Sequence, residues 1–90
     1  MAALTRRFGL AVRQLREARG WSQEVFADRA GLSRSYAGEV ERGNAVPSLA
    51  TVLKVAAAFG ISGAALIEHS EQAELRRPGS VAAAVTTTEK

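Results

Sequence analysis

The stretch from Ser22 to Gly43, SQEVFADRAGLSRSYAGEVERG, decides the fold. It reads as two short helices broken at Gly31. Ser22 suits the start of the first, because a serine side chain can accept one of the N–H groups that a first helical turn leaves unpaired. Phe26, Ala27 and Ala30 give that helix a short apolar face. Leu32 and Ser33 restart the chain, with Ser33 as the second cap, and Gly43 ends the second helix. Only Ala37 and Val40 of this second helix are expected to point inward. A helix so polar and lightly built needs a partner outside the chain.

The flanks supply the rest of a bundle. Leu4, Phe8, Ala11, Val12 and Leu15 recur at helical spacing, with Arg6, Arg7, Arg13 and Gln14 between them. This predicts an amphipathic first helix that ends near Gly20, with Trp21 as a core anchor. After the loop NAVP (44–47), Ser48 caps a fourth helix in which Leu49, Val52, Leu53, Ala56 and Phe59 repeat at three- and four-residue steps. Gly60 closes it, Ser62 caps again, and Ala65, Leu66 and Ile67 suggest a short fifth helix. Connections are short and strand signals nearly absent up to residue 68. The expected fold is therefore all-α, a compact five-helix bundle. Residues 1–68 form the domain, and 69–90 an extension whose helix runs to about residue 77 before Pro78 and Gly79 stop it and a mobile tail follows.

Ninety residues support one modest core. No cysteine is present, which excludes disulfides and cysteine metal sites. No apolar run approaches the roughly 20 residues of a membrane span, nor does the start resemble a signal peptide. A cytoplasmic protein is expected. Charge is uneven: residues 1–60 hold nine Lys/Arg against five Asp/Glu, and residues 61–90 hold three against four. Most of the excess is arginine, whose planar fork suits phosphates and guanine edges. A solvated basic surface would give the same composition.

The residues also carry a resemblance. Leu-Arg before Gly20, Ser22-Gln23, Ala27, Gly31, Glu41-Arg42-Gly43, Pro47-Ser48 and the closing Phe-Gly-Ile are together similar to the Xre/Cro-type helix-turn-helix family of bacterial and phage repressors. The likeness is free of gaps from about Phe8 to Ile67 and implies the lambda-repressor-like fold. The segment RSYAGEVERG resembles, more narrowly, the controller proteins of restriction–modification systems.

The resemblance implies that helix three (33–42) lies in the major groove. Carried over by position, Arg34, Ser35, Gly38 and Glu39 would read bases. Arg34 would fork onto guanine O6 and N7. Glu39 would accept from a cytosine amino group or hold an arginine in place. Gly38, where the family has a larger polar side chain, gives either room for close approach or drift at a tolerant position. Gln23 would grip a phosphate at the start of helix two. Ser33, Tyr36, Arg42, Asn44 and Ser48 are further phosphate candidates, and Tyr36 could instead rest on the domain surface or touch a thymine methyl. Arg16 and Glu41 are implied to form an ion pair between helices one and three. Ala37 replaces a bulkier aliphatic residue and would leave a void unless Trp21 or Phe26 leans in.

Trp21 and the three phenylalanines read as core rather than as stacking platforms. Leu10, Val25 and Leu53 do not all fit inside. His69, the only histidine, has no nucleophile or metal-ligand cluster beside it. No glycine-rich phosphate loop precedes a helix, so no enzyme activity, metal or cofactor is expected. The implied partners are double-stranded DNA and a second copy of the chain, meeting through Ala64, Ala65, Leu66 and Ile67, with no membrane. A cytoplasmic, nucleoid-associated transcriptional regulator is the leading expectation. The alternative is an antitoxin that neutralises a toxin protein and binds its own promoter.

Overall fold

The computed structural model describes residues 2–76. Five helices follow one another: α1 (Ala2–Ala18), α2 (Gln23–Ala30), α3 (Arg34–Arg42), α4 (Leu49–Phe59) and α5 (Gly63–Glu71). A 3-10 turn, Ala73–Arg76, closes the described chain. There is no strand among the described residues.

Four of the five helices start on the same device. Ser22, Ser33, Ser48 and Ser62 sit at the N-caps in extended backbone. Each side-chain oxygen accepts the N–H three residues on, from Val25, Tyr36, Thr51 and Ala65, at 3.0–3.1 Å. A cap of this kind is worth about 1 kcal/mol over alanine.

α1 packs against α3 and α5, α2 against α3 and α4, and α4 against α5. Phe8, Val12, Phe26, Val40, Val55, Phe59 and Leu66 fill the space between them, with Ala27, Ala30, Ala37 and Ala56 as small spacers. Three aromatic rings form one layer. Phe59 stacks on Trp21 at 5.3 Å and on Phe26 at 5.5 Å, with near-parallel planes. Ala37 is fully buried within the same core as Phe26. Trp21 is half-buried rather than enclosed. Its ring is flanked by the guanidinium groups of Arg19 and Arg29, at 5.5 and 4.8 Å from the ring centre.

The crossing of α1 over α3 is very close at Gly9. A Cβ there would collide with the carbonyl oxygen of Val40 and stand 2.6 Å from that of Glu41. This glycine brings α1 onto the backbone of the polar helix, and so fixes where α3 sits.

Two expectations fail at element ends. α5 stops at Glu71 instead of continuing to about residue 77. Gln72 leaves helical geometry (φ −102°, ψ 2°), and the 3-10 turn folds back so that Ala73 is fully buried against α1. Gln14 holds that turn by donating to the Ala73 carbonyl at 3.3 Å. A straight extension would have carried Ala73 away from α1. Leu49, expected inside, is 84% exposed. It shares a face with Val52, Ala56 and Phe59, but as the first residue of α4 it overhangs the bundle. The tail expected after residue 77 lies outside the described residues.

Candidate nucleic-acid interface

α3 displays its first turn. Ser33, Arg34 and Ser35 are all exposed. Ser33 spends its oxygen as an acceptor from Tyr36 N–H and keeps its hydroxyl hydrogen for an outside partner. Arg34 makes no hydrogen bond or ion pair among the described residues, so its five donors are free. Tyr36 is partly buried and packs on the core, in line with a place on the domain surface. Asn44 lies just past the end of α3 and is exposed. Its backbone N–H donates to the Glu39 carbonyl at 2.9 Å, which satisfies the helix end, and its side chain hydrogen-bonds toward the Glu39 carboxylate. Ser48 is more committed. Its oxygen accepts from Thr51 N–H and its hydroxyl donates to Thr51 Oγ1, both at 3.0 Å.

The position of α3 is set by a buried charged joint. Arg16 of α1 donates from Nε to Glu41 Oε2 at 2.6 Å and from Nη2 to Oε1 at 3.1 Å. Its Nη1 donates to the Trp21 carbonyl at 2.8 Å. The side chains are 14% and 3% exposed. Glu41 Oε1 also accepts from Gln23 Nε2 at 3.1 Å. One carboxylate thus ties α1, the start of α2 and α3 together. Two-pronged arginine–carboxylate bonds are among the strongest polar contacts and fix geometry as well as energy. Gln23, expected to face a phosphate, is half-buried and in this state donates inward.

Gly38, carried over as a base-reading position, is buried in the free protein. A Cβ at this position would lie 3.2 and 3.3 Å from the two terminal nitrogens of Arg42 and 3.5 Å from Gln23 Oε1. The arginine fork therefore covers the space that a side chain would take. Arg42 is held there by Glu39, whose Oε2 accepts from Nη2 at 2.7 Å. The hydrogen bond and positive charge of Arg42 keep the Glu39 carboxyl below its ordinary range, with a smaller contribution from Asn44.

Leu66 does not belong with the other residues expected at a dimer surface. It is fully buried in the core. Ala64 is exposed, and Ala65 and Ile67 are partly so. The outward apolar side chains lie next to them. Val46, Leu49 and Leu53 are 75%, 84% and 62% exposed. Leu53 lies across the start of α5, where a Cβ on Gly63 would be 2.8 Å from its Cδ2. Val25 is also exposed and Leu10 is half-buried. Among the described residues, no group of His, Cys, Asp and Glu could hold a metal ion. No single described helix is long and apolar enough to cross a membrane.

Comparison with known proteins agrees with this architecture. The restriction-modification controller protein C.AhdI from Aeromonas hydrophila superposes with a TM-score of 0.67 at 47% identity, covering 73% of this chain and 98% of that one. The HTH-type transcriptional regulator SutR of Escherichia coli is 32% identical over 73 residues, 81% of this chain. The immunity repressor protein of Bacillus phage phi105 is 38% identical over 71 residues, 73% of this chain. The chain spans 41% of the length of SutR and 49% of that of the phage repressor. These relatives are regulators and a repressor, not enzymes. Residues 12–66 match the helix-turn-helix family itself, and with α2, the turn at Gly31 and α3 all inside that match, the chain belongs to the helix-turn-helix family.

Proposed function

We propose that this protein is a sequence-specific DNA-binding transcriptional regulator, acting as a homodimer on a two-fold symmetric site with α3 in the major groove. The observation that carries this is the first turn of α3: Arg34 and Ser35 stand exposed and, among the described residues, unpaired, on a helix locked from behind by the Arg16–Glu41 joint. A guanidinium there suits guanine O6 and N7, and a good two-pronged pair is worth about 1–3 kcal/mol of discrimination. Ser35 and Glu39 are the neighbouring base contacts. Gly38 contributes closeness of approach rather than a side chain. Gln23, Ser33, Arg42 and Asn44 hold backbone phosphates, with Tyr36 and Ser48 at the margin. The relatives' names, regulators and a repressor, support this reading and give none to the toxin-neutralising alternative.

One domain covers a half-site, and two copies related by a two-fold axis double the readout. The surface for self-association is built from Leu49 and Leu53 of α4 with Ala64, Ala65 and Ile67 of α5, and excludes Leu66. The test is selection of bound duplexes from a random pool at physiological salt. Enrichment of a symmetric site, with half-site centres about 34–36 Å apart or a multiple of it, is the expected result. Folded protein that enriches no sequence would overturn the reading.

A further inference from the structure

Arg6 sits early in α1, where nothing in its local sequence marks it. The fold gives it a neighbour thirty-seven positions away. Its stem lies across Gly43, the αL residue that ends α3 (φ 77°). A Cβ on Gly43 would be 2.9 Å from Arg6 Cγ and 3.1 Å from its Cα. Gly43 is thus required twice, for its backbone angle and for this approach. Arg6 shares with Arg13 and Arg42 a shallow cleft of about 180 Å³, which Glu41 and Glu74 also line.

The charges of that cleft are not equally available. Glu41 is saturated by Arg16 and Gln23. Arg13 pairs with Glu17, and Arg42 with Glu39, in exposed contacts that separate at little cost. Arg6 is exposed and makes no hydrogen bond or ion pair among the described residues. The partial negative charge at the end of α3 favours cations there, which is a structural role Arg6 could fill alone. Yet Arg6 and Arg42 line one cleft next to the end of α3, and two guanidinium groups carry more donors than a helix end can use.

We propose that Arg6, together with Arg42, binds a phosphate of the DNA backbone, extending the contact from the first turn of α3 to its last and onto α1. This rests on the DNA-binding reading above. A phosphate contact of this kind adds affinity for every sequence and carries no base information.

Arg6→Gln separates the roles, because glutamine keeps the Cβ and Cγ that rest on Gly43. Binding to a labelled duplex of mixed sequence is measured from about 50 to about 200 mM salt. Each phosphate contact contributes about −0.9 to the slope of log affinity against log salt. The variant should therefore lose about one unit of slope, so that its deficit shrinks about 3.5-fold across that range. Arg6→Lys should restore the slope, and Lys54→Gln, which removes a charge from α4, should leave it intact. Equal slopes for Arg6→Gln and the wild type, or equal losses for Arg6→Gln and Lys54→Gln, would overturn the contact. Inorganic phosphate at constant ionic strength should leave the Arg6 Nε–H resonance unmoved. Saturable binding there with an unchanged DNA slope would make this a free-anion site instead. A wild-type protein that shows no salt-dependent DNA binding would remove the DNA reading itself, and this contact with it.

Discussion

Glu39 and Arg42 form an exposed pair, yet what they cover makes them informative. The pair lies over Gly38, so the centre of α3 is closed in the free protein by a fork that an arriving phosphate could draw away. Arg42 lowers the Glu39 pKa, so the pair is intact above the ordinary carboxylate range and is lost as pH falls through the lowered value. Arg42→Gln should move the Glu39 midpoint up toward its ordinary value. A carboxyl-carbon NMR titration reads this directly, and an unmoved midpoint would mean that Asn44, not Arg42, sets it. At the same scale, Arg34→Ala should relax preference at particular base pairs by about 1–3 kcal/mol. Gln23→Ala should instead weaken binding to all sequences. Competition among duplexes differing at single positions distinguishes them, and a uniform loss for Arg34→Ala would make it a phosphate contact.

At the scale of the element, the joint between α1, α2 and α3 is the costly part of the design. Arg16→Ala strands the Glu41 carboxylate in a site where its side chain is 3% exposed. A cost of about 3–5 kcal/mol is expected, a large share of the roughly 5–15 kcal/mol that holds a domain together. Denaturant unfolding measures it. Unchanged stability with altered sequence preference would show that Arg16 reads DNA rather than supports α3. The helices themselves were legible in the sequence because their signals are local: a serine at each of four starts, a glycine after α2, α3 and α4, and apolar residues at three- and four-residue steps. What was not legible depends on which side chains the folded chain brings alongside. Leu49 has the right face but no helix beyond it. Leu66 looked like its neighbours Ala65 and Ile67, yet of the three it alone is fully buried. Gly38 looked open from the sequence because the fork that covers it comes from the next turn of the same helix. Arg6 carried no signal at all, since its meaning arises only where α1 passes Gly43.

For the molecule as a whole, the question is what covers its outward apolar face. Leu49 and Leu53 are large side chains left mostly in water on one helix, beside the exposed Ala64 at the start of α5. Each large aliphatic side chain moved out of water stabilises by about 1.5–3 kcal/mol, so two copies meeting face to face would bury several such contributions through the symmetry of the contact. Leu53→Gln keeps helix propensity nearly unchanged and touches no core residue's burial. It should leave the melting temperature of the dilute protein almost unaltered. It should also shift the sedimentation profile toward monomer, and lower affinity for a symmetric duplex far more than for a half-site. If self-association survives Leu53→Gln and the paired change Leu49→Gln, the two copies meet elsewhere, and the spacing of the selected half-sites must then be explained by a different face.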